Sequence, residues 1–286
     1  RNFRNADIEL DRAVTIDSTY GAAYFLLGQA NEYLKDYRKA IRAFEAAGRF
    51  GIPRERLDKR MSRLQYRFAL QNFQQRKYSE AVNAFEEVLS REPQNAEAHY
   101  NLGLCHRRLR NKTAAKAAFE TAVQANPDFA KPHKALGDLM HQSRQNEQAK
   151  SAYTRAIELD STYVSAYSGF AQILIEEERM EQAVSLLRRA TRIDPQHGDG
   201  FLLLGSLQTR LEKPLEAVES LKQAVEIQSQ NAEAHYRLGE AYLAVGQHDD
   251  AVAAGKAALS YDGDYHPAEV LLGDTYAKLG ETDAAR

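Results

Sequence analysis

Apolar residues along this chain recur at helical spacing, in short runs that polar residues interrupt. Between Ala96 and Leu109 the apolar positions follow one face of a helix, and residues 110–112 break that pattern. A second run continues to Ala125, where the Asn-Pro pair at 126–127 ends it. The pattern therefore predicts two consecutive helices joined by a tight turn.

A series of alanines shows that this unit repeats. From Ala81 onward an alanine occurs every 34 residues, and the series extends back to Ala40 after one longer step of 41 residues. Twelve residues before each of these alanines lies a Gly or Ala, preceded by a large apolar residue. Small residues on facing helices let two backbones approach closely. Because such hairpins bury their faces only against neighbouring hairpins, we expect a linear stack.

The segment 96–129 resembles the tetratricopeptide repeat. Residues typical of that family occur at its positions: His99, Leu102, Gly103, Ala115, Phe119, Ala122 and Pro127. The likeness covers essentially the whole chain, although no Trp occupies the fourth position of any repeat. The resemblance implies an all-α fold, a right-handed superhelical solenoid of antiparallel helix pairs.

The register predicts a single solenoid over residues 1–286. Full repeats are expected at 21–54, 62–95, 96–129, 130–163, 164–197, 198–231 and 232–265. Partial repeats at 1–20 and 266–286 lead us to expect a fragment of a longer chain, and the alternative is that 1–20 is a capping helix.

Two irregularities interrupt the register. Residues 55–61 are an insertion that should lengthen the following helix and give it a charged tip. Leu57 and Met61 are four residues apart and share a face that can pack on the preceding hairpin. The insertion is either a solvated extension without a role or a docking element. Gly255 replaces a large residue, which predicts the softest hairpin of the array.

Composition limits the function classes. The chain has 38 basic and 40 acidic residues, a net charge of -2, so we expect no nucleic-acid partner. No apolar run is long enough to cross a membrane, and we expect no direct membrane insertion. Cys105 is the only cysteine, which suits the cytoplasm or a periplasm. We expect a soluble protein and favour the cytoplasm.

No motif indicates catalysis. The sequence contains no phosphate-binding glycine loop, paired-histidine zinc helix, Cys-x-x-Cys pair or nucleophile elbow. His99, His133 and His235 share one repeat position with aromatic residues, so we expect packing histidines and no metal ligands. Cys105 shares a column with apolar residues and should be a core residue. We predict no enzyme activity, no cofactor and no metal.

The resemblance implies that the first helix of each pair lines a concave groove. Carrying the family's groove positions over gives ten candidate peptide-binding residues: Arg63, Tyr66, Arg67, Phe73, Tyr100, Asn101, Arg107, Arg108, Lys131 and Lys134. Aromatic rings interleaved with cations are typical of a peptide-binding hot spot, and the cations favour an acidic partner. The alternative is a solvated helix face. Further along, the same positions carry Glu176, Asp199, Glu233 and Glu240 together with Arg210 and Arg237.

We therefore predict an interaction scaffold that binds a peptide or a partner protein in its groove. The family's two-carboxylate clamp for a C-terminal carboxylate is not expected, because Tyr66, Leu70 and Ala135 occupy positions where it needs Lys, Asn and Arg. Two alternatives stay open. The chain is a self-assembling scaffold that forms homo-oligomers through open repeat ends, or it is the substrate-recruiting arm of a larger enzyme.

Overall fold

The computed structural model describes residues 2–280, which are helical and contain no strand. Helices make up 80% of the described residues, which confirms the predicted all-α class. The helices are α1 (Phe3–Ile16), α2 (Gly21–Tyr33), α3 (Tyr37–Arg49), α4 (Arg54–Gln74), α5 (Tyr78–Arg91), α6 (Ala96–Arg108), α7 (Lys112–Ala125), α8 (Ala130–Gln142), α9 (Asn146–Leu159), α10 (Val164–Glu176), α11 (Met180–Ile193), α12 (Gly198–Arg210), α13 (Pro214–Ile227), α14 (Ala232–Ala244), α15 (His248–Tyr261) and α16 (His266–Leu279).

The chain divides into two compact units, Arg1–Leu139 and Met140–Arg286. In the first unit the pairs α2 with α3, α4 with α5 and α6 with α7 pack against each other. In the second unit α10 packs with α11, α12 with α13, and α14 with α15. Turns of a few residues join the members of a pair, so each unit is a row of antiparallel helix hairpins.

A left-handed residue ends the first helix of each hairpin. Arg110, two residues after the end of α6, has φ of 60°, and the following amide of Asn111 donates to the carbonyl oxygen of His106 over 2.9 Å. This bond satisfies a carbonyl at the end of the helix while the chain reverses. Asn111 then caps α7 by accepting from the amide of Ala114. The same left-handed conformation occurs at Lys35, Arg76, Arg144, Glu178, Glu212, Gly246 and Gly280.

The small-residue column allows the two helices of a hairpin to touch. A Cβ atom added to Gly103 on α6 would lie 2.5 Å from the ring of Phe119 on α7. Phe119 is fully buried, as are Ala115 and Ala122 on the same face of α7. The ring therefore fills the space that the absent glycine side chain leaves, whereas the repeat pattern led us to expect an alanine opposite the glycine.

The insertion lengthens α4, as predicted. This helix has 21 residues, whereas α6 and α8 have 13 each. Leu57 and Met61 are each 5% exposed and pack in one cluster with Phe44 of α3. The extension is thus attached to the preceding hairpin through its apolar face.

The helix α15 continues through Gly255 without a break. A Cβ atom at this position would lie 3.0 Å from the side chain of Leu272 on α16. A Cβ atom at Gly239, the counterpart of Gly103, would lie 2.5 Å from Leu271, also on α16. Leucines of α16 therefore occupy the place where other hairpins hold a large residue of their own. That this hairpin is the softest one stays a prediction.

Candidate binding surface

The ten candidate residues lie on three helices of the first unit, α4, α6 and α8. We call them the basic surface: Arg63, Tyr66, Arg67, Phe73, Tyr100, Asn101, Arg107, Arg108, Lys131 and Lys134. Four of them are exposed, namely Arg63, Arg67, Arg108 and Lys131, and the other six are partly buried.

A polar contact joins α4 to α6. The amide of Asn101 donates to the hydroxyl oxygen of Tyr66 over 2.9 Å and to the carbonyl oxygen of Glu97 on its own helix. The Tyr66 hydroxyl in turn donates to the Glu97 carboxylate over 3.3 Å. Burial and the neighbouring Glu97 charge raise the pKa of Tyr66 to about 12. The phenol therefore stays neutral and acts as a fixed donor between two hairpins.

An ion pair joins α6 to α8. Asp138 accepts from Arg107 over 3.2 Å and from Lys134 over 2.9 Å. The Asp138 side chain is only 18% exposed, so solvent screens these contacts less than it screens surface pairs. Two cations that the sequence assigns to ligand binding are thus partly neutralised by one carboxylate.

The remaining cations differ in how far they are paired. Arg67 lies 3.8 Å from Glu32 on α2, a carboxylate that also accepts from Arg60 over 2.9 Å. Within the described residues no side-chain hydrogen bond or ion pair involves Arg63, Arg108 or Lys131. These three side chains are the ones whose charge is fully available to a partner.

The aromatic side chains of the basic surface also serve the packing. Phe73 makes an edge contact with Tyr78 at 5.4 Å between ring centroids, and Tyr66 makes one with Phe85 at 5.7 Å. Tyr100 packs against Phe129 at 5.4 Å. Because one side of each ring contacts the core, only part of each ring can touch a partner.

Position 135 does not belong to the surface. Ala135 is 2% exposed and lies within the packing of α8, so the groove position carried over to it from the family pattern is wrong at this residue. The methyl group faces the core because a residue this small fits between closely packed helices. The surface on α8 is therefore made by Lys131 and Lys134 together with Asp138.

The histidines at the fourth repeat position cap loops. The Nε2 atom of His99 lies 2.9 Å from the carbonyl oxygen of Pro93, and His133 and His235 make the same contact to the carbonyl six residues earlier. The hydroxyl of Tyr167 donates to an equivalent carbonyl over 3.0 Å. These residues therefore satisfy a carbonyl oxygen of the turn between repeats through a hydrogen bond that the repeat pattern did not predict.

Cys105 is a core residue, as predicted. It is fully buried among Ala69, Ala81 and Val88, and burial raises the pKa of its thiol to about 12. A thiol in this environment is a weak nucleophile. Within residues 2–280, no three His, Cys, Asp or Glu side chains form a possible metal site. None of the described helices combines the length and apolar composition that crossing a membrane requires.

The second unit contains a cavity that the sequence interpretation did not single out. It has a volume of about 550 Å³ and lies between α10, α12 and α14. Its apolar part is formed by Ile175, Leu202 and Leu203. These leucines occupy groove positions, but in a sequence they cannot be told from core leucines. A signal that could have pointed to them is that the same two positions hold a tyrosine followed by a polar residue in three other repeats, at 66–67, 100–101 and 236–237.

Sequence profiles place the chain in a known family. Profiles described as tetratricopeptide repeat match residues 66–130, 140–207, 21–47 and 232–265, and one described as TPR repeat matches 215–246. The chain belongs to the tetratricopeptide repeat family. The resemblance drawn from the alanine register is therefore confirmed over most of the sequence.

Solved structures of other tetratricopeptide repeat proteins share the fold. PilW, a widely conserved type IV pilus biogenesis factor, matches with a TM-score of 0.63 and 17% identity over 74% of this chain and 98% of its own. PilF of Pseudomonas aeruginosa matches with a TM-score of 0.59 and 20% identity over 66% of this chain and 86% of its own. YrrB, described as having an unusual peptide-binding site, matches with a TM-score of 0.55 and 16% identity over 65% of this chain and 96% of its own. A comparison with curated proteins finds no match.

Proposed function

We propose that this tetratricopeptide repeat chain is a non-catalytic scaffold whose basic surface binds an acidic peptide segment of a partner protein. The observation that carries the proposal is the joining of three adjacent helices into one surface. Asn101 and Tyr66 connect α4 to α6, and Arg107 and Asp138 connect α6 to α8. A peptide can therefore contact all three helices without ordering them first, which lowers the entropic cost of binding.

Charge supports an acidic partner. The surface carries the cations of Arg63, Arg67, Arg107, Arg108, Lys131 and Lys134. The carboxylates of Glu97, Asp138 and Glu32 partly offset these cations, and Glu32 lies beside Arg67. The balance is positive, and three of the cations are unpaired within the described residues. Such a field attracts acidic segments and speeds their association.

Asn101 offers a contact to the backbone of a bound peptide. Its amide nitrogen is used by Tyr66 and by the Glu97 carbonyl, whereas its Oδ1 accepts no hydrogen bond within the described residues. The oxygen can therefore accept from a peptide N–H group. The exposed parts of the Tyr100 and Phe73 rings provide apolar area beside it.

The salt dependence of binding tests this proposal. A fluorescently labelled peptide with alternating Glu and Phe residues is titrated with the protein, and anisotropy gives the dissociation constant at increasing sodium chloride. We expect affinity to fall about tenfold from low to physiological salt, because exposed charges are screened over about 8–10 Å. A matched Gln-and-Phe peptide should bind weakly and without that dependence. An affinity of the acidic peptide that salt does not change would refute the proposal.

A further inference from the structure

The cavity of the second unit combines an apolar floor with a charged rim. Leu202, Leu203 and Ile175 form the floor, and all three are partly exposed. Leu203 and Ile175 pack on one core cluster, which includes Leu207, and Leu202 packs on the next cluster along the unit. Each side chain is thus fixed by the core on one side and open to the cavity on the other. Fixed apolar side chains form a preorganised binding site.

The rim has a negative balance. Asp199, Glu233 and Glu240 lie at the cavity together with Arg210 and Arg237. Arg237 is shared between two of the carboxylates, 2.9 Å from Glu240 and 3.8 Å from Glu233. With three carboxylates against two guanidinium groups, the rim keeps one excess negative charge, and Arg210 has no side-chain partner within the described residues.

A neighbouring tyrosine lies close to the same carboxylates. Burial and the charges of Glu233 and Glu240, opposed by Arg237, raise the pKa of Tyr265. Tyr236 donates to Glu240 over 2.7 Å, which holds that carboxylate in place beside the cavity. The rim carboxylates are thus positioned by the protein.

We propose that this cavity binds an extended segment of a partner protein in which leucine-like residues alternate with lysine or arginine. In an extended chain successive side chains point to opposite faces, so leucines at every second position can enter the apolar floor. The long side chains of the basic residues between them can turn back to the rim carboxylates of Glu233 and Asp199. A volume of about 550 Å³ lies within the range of small-ligand and side-chain pockets. This site prefers the opposite charge to the basic surface and does not depend on it.

Labelled peptides test the cavity on the full chain. The probe alternates Leu with Lys, one control replaces Lys by Glu, and a second replaces Leu by Ser. Two protein variants address the two properties of the site: Glu233→Lys reverses a rim charge, and Leu203→Ser removes apolar floor. The matched control is Glu219→Lys, which makes the same charge change at an exposed site on α13. Circular dichroism establishes that each variant is folded.

We expect the Leu-Lys probe to bind more tightly than both control peptides. Glu233→Lys should weaken it about tenfold, whereas Glu219→Lys should change it less than about twofold. Reversing Arg63, Arg67, Arg107 and Arg108 should not weaken this binding, which separates it from the basic surface. Equal binding of the Lys and Glu peptides, or an affinity that neither Glu233→Lys nor Leu203→Ser alters, would overturn the proposal.

Discussion

Arg107 on α6 donates a hydrogen bond of 3.2 Å to Asp138 on α8. The contact stabilises the arrangement of two neighbouring hairpins, and it also reduces the positive charge that the surface offers to an acidic ligand. Asp138 therefore stabilises the fold but weakens the affinity for an acidic ligand.

Replacing Asp138 by Asn should strengthen ligand binding. The substitution removes a carboxylate that neutralises Arg107 and Lys134, so affinity for an acidic peptide should rise about threefold at low salt. The free energy of unfolding should fall by up to about 1 kcal/mol, because a partly buried ion pair is lost. Fluorescence anisotropy and urea unfolding measure the two effects.

The control for this variant is Glu86→Gln, which makes the same charge change at an exposed residue on α5. If the gain arises from the local pair, Glu86→Gln leaves the affinity nearly unchanged. Equal gains for both variants would show that only the net charge of the protein matters.

Gly103→Ala should destabilise the first unit. The added methyl would lie 2.5 Å from the ring of Phe119, which is fully buried and cannot move without disturbing the core. Overpacking of this kind costs about 1–3 kcal/mol. Urea unfolding followed by circular dichroism should show a lower midpoint. An unchanged midpoint would mean that the hairpin has room for a side chain.

The matched substitution Gly255→Ala should have the opposite sign. Its methyl would lie 3.0 Å from Cγ and Cδ2 of Leu272, a partly exposed side chain that can shift, and 3.7 Å from Cδ2 of Leu271. Alanine is favoured over glycine within a helix by about 1 kcal/mol. The unfolding midpoint should therefore rise slightly, and hydrogen exchange in α15 should slow.

His99→Phe should cost about 1 kcal/mol of stability, because it leaves the Pro93 carbonyl without its donor. His99→Tyr should be closer to wild type, since Tyr167 makes the equivalent bond in the second unit. Urea unfolding of the two variants checks this order. Equal losses of stability in the His99→Phe and His99→Tyr variants would indicate that ring packing, and not the hydrogen bond, determines the residue at this position.

Arg110→Gly should stabilise the turn between α6 and α7. Arg110 holds φ of 60°, a conformation that costs a residue with a Cβ roughly 1–2 kcal/mol. Glycine removes this cost but gains freedom in the unfolded chain, so we expect a net increase of about 0.5 kcal/mol. Arg110→Val at the same position should instead lower the unfolding midpoint.

The repeat register predicts most of the fold because it records local packing. The small residue at Gly103 belongs to a repeated column that marks where the two helices of a hairpin contact each other. The longer step after Ala40 shows that seven residues are inserted, and the long α4 follows from that insertion. Both features can be read from one sequence.

The candidate site is less predictable, since it depends on contacts between hairpins. Asp138 lies 31 residues from Arg107, and no local pattern indicates that the two side chains meet. Likewise, one side of Leu203 packs against the core and the other lines the cavity. Its residue type alone does not show that part of the side chain is accessible to a ligand. Positions, but not pairings, can be read from the repeat.

The most direct measurement compares the affinity of an acidic-aromatic peptide for wild type and for the Arg63→Glu, Arg67→Glu, Arg107→Glu, Arg108→Glu variant. The control reverses four exposed cations elsewhere in the first unit, Arg4, Arg42, Arg49 and Lys112. If the basic surface binds the peptide, the first variant raises the dissociation constant at least about tenfold and the control changes it less than about threefold. Unchanged affinity in the first variant, or equal losses in both, would contradict the account.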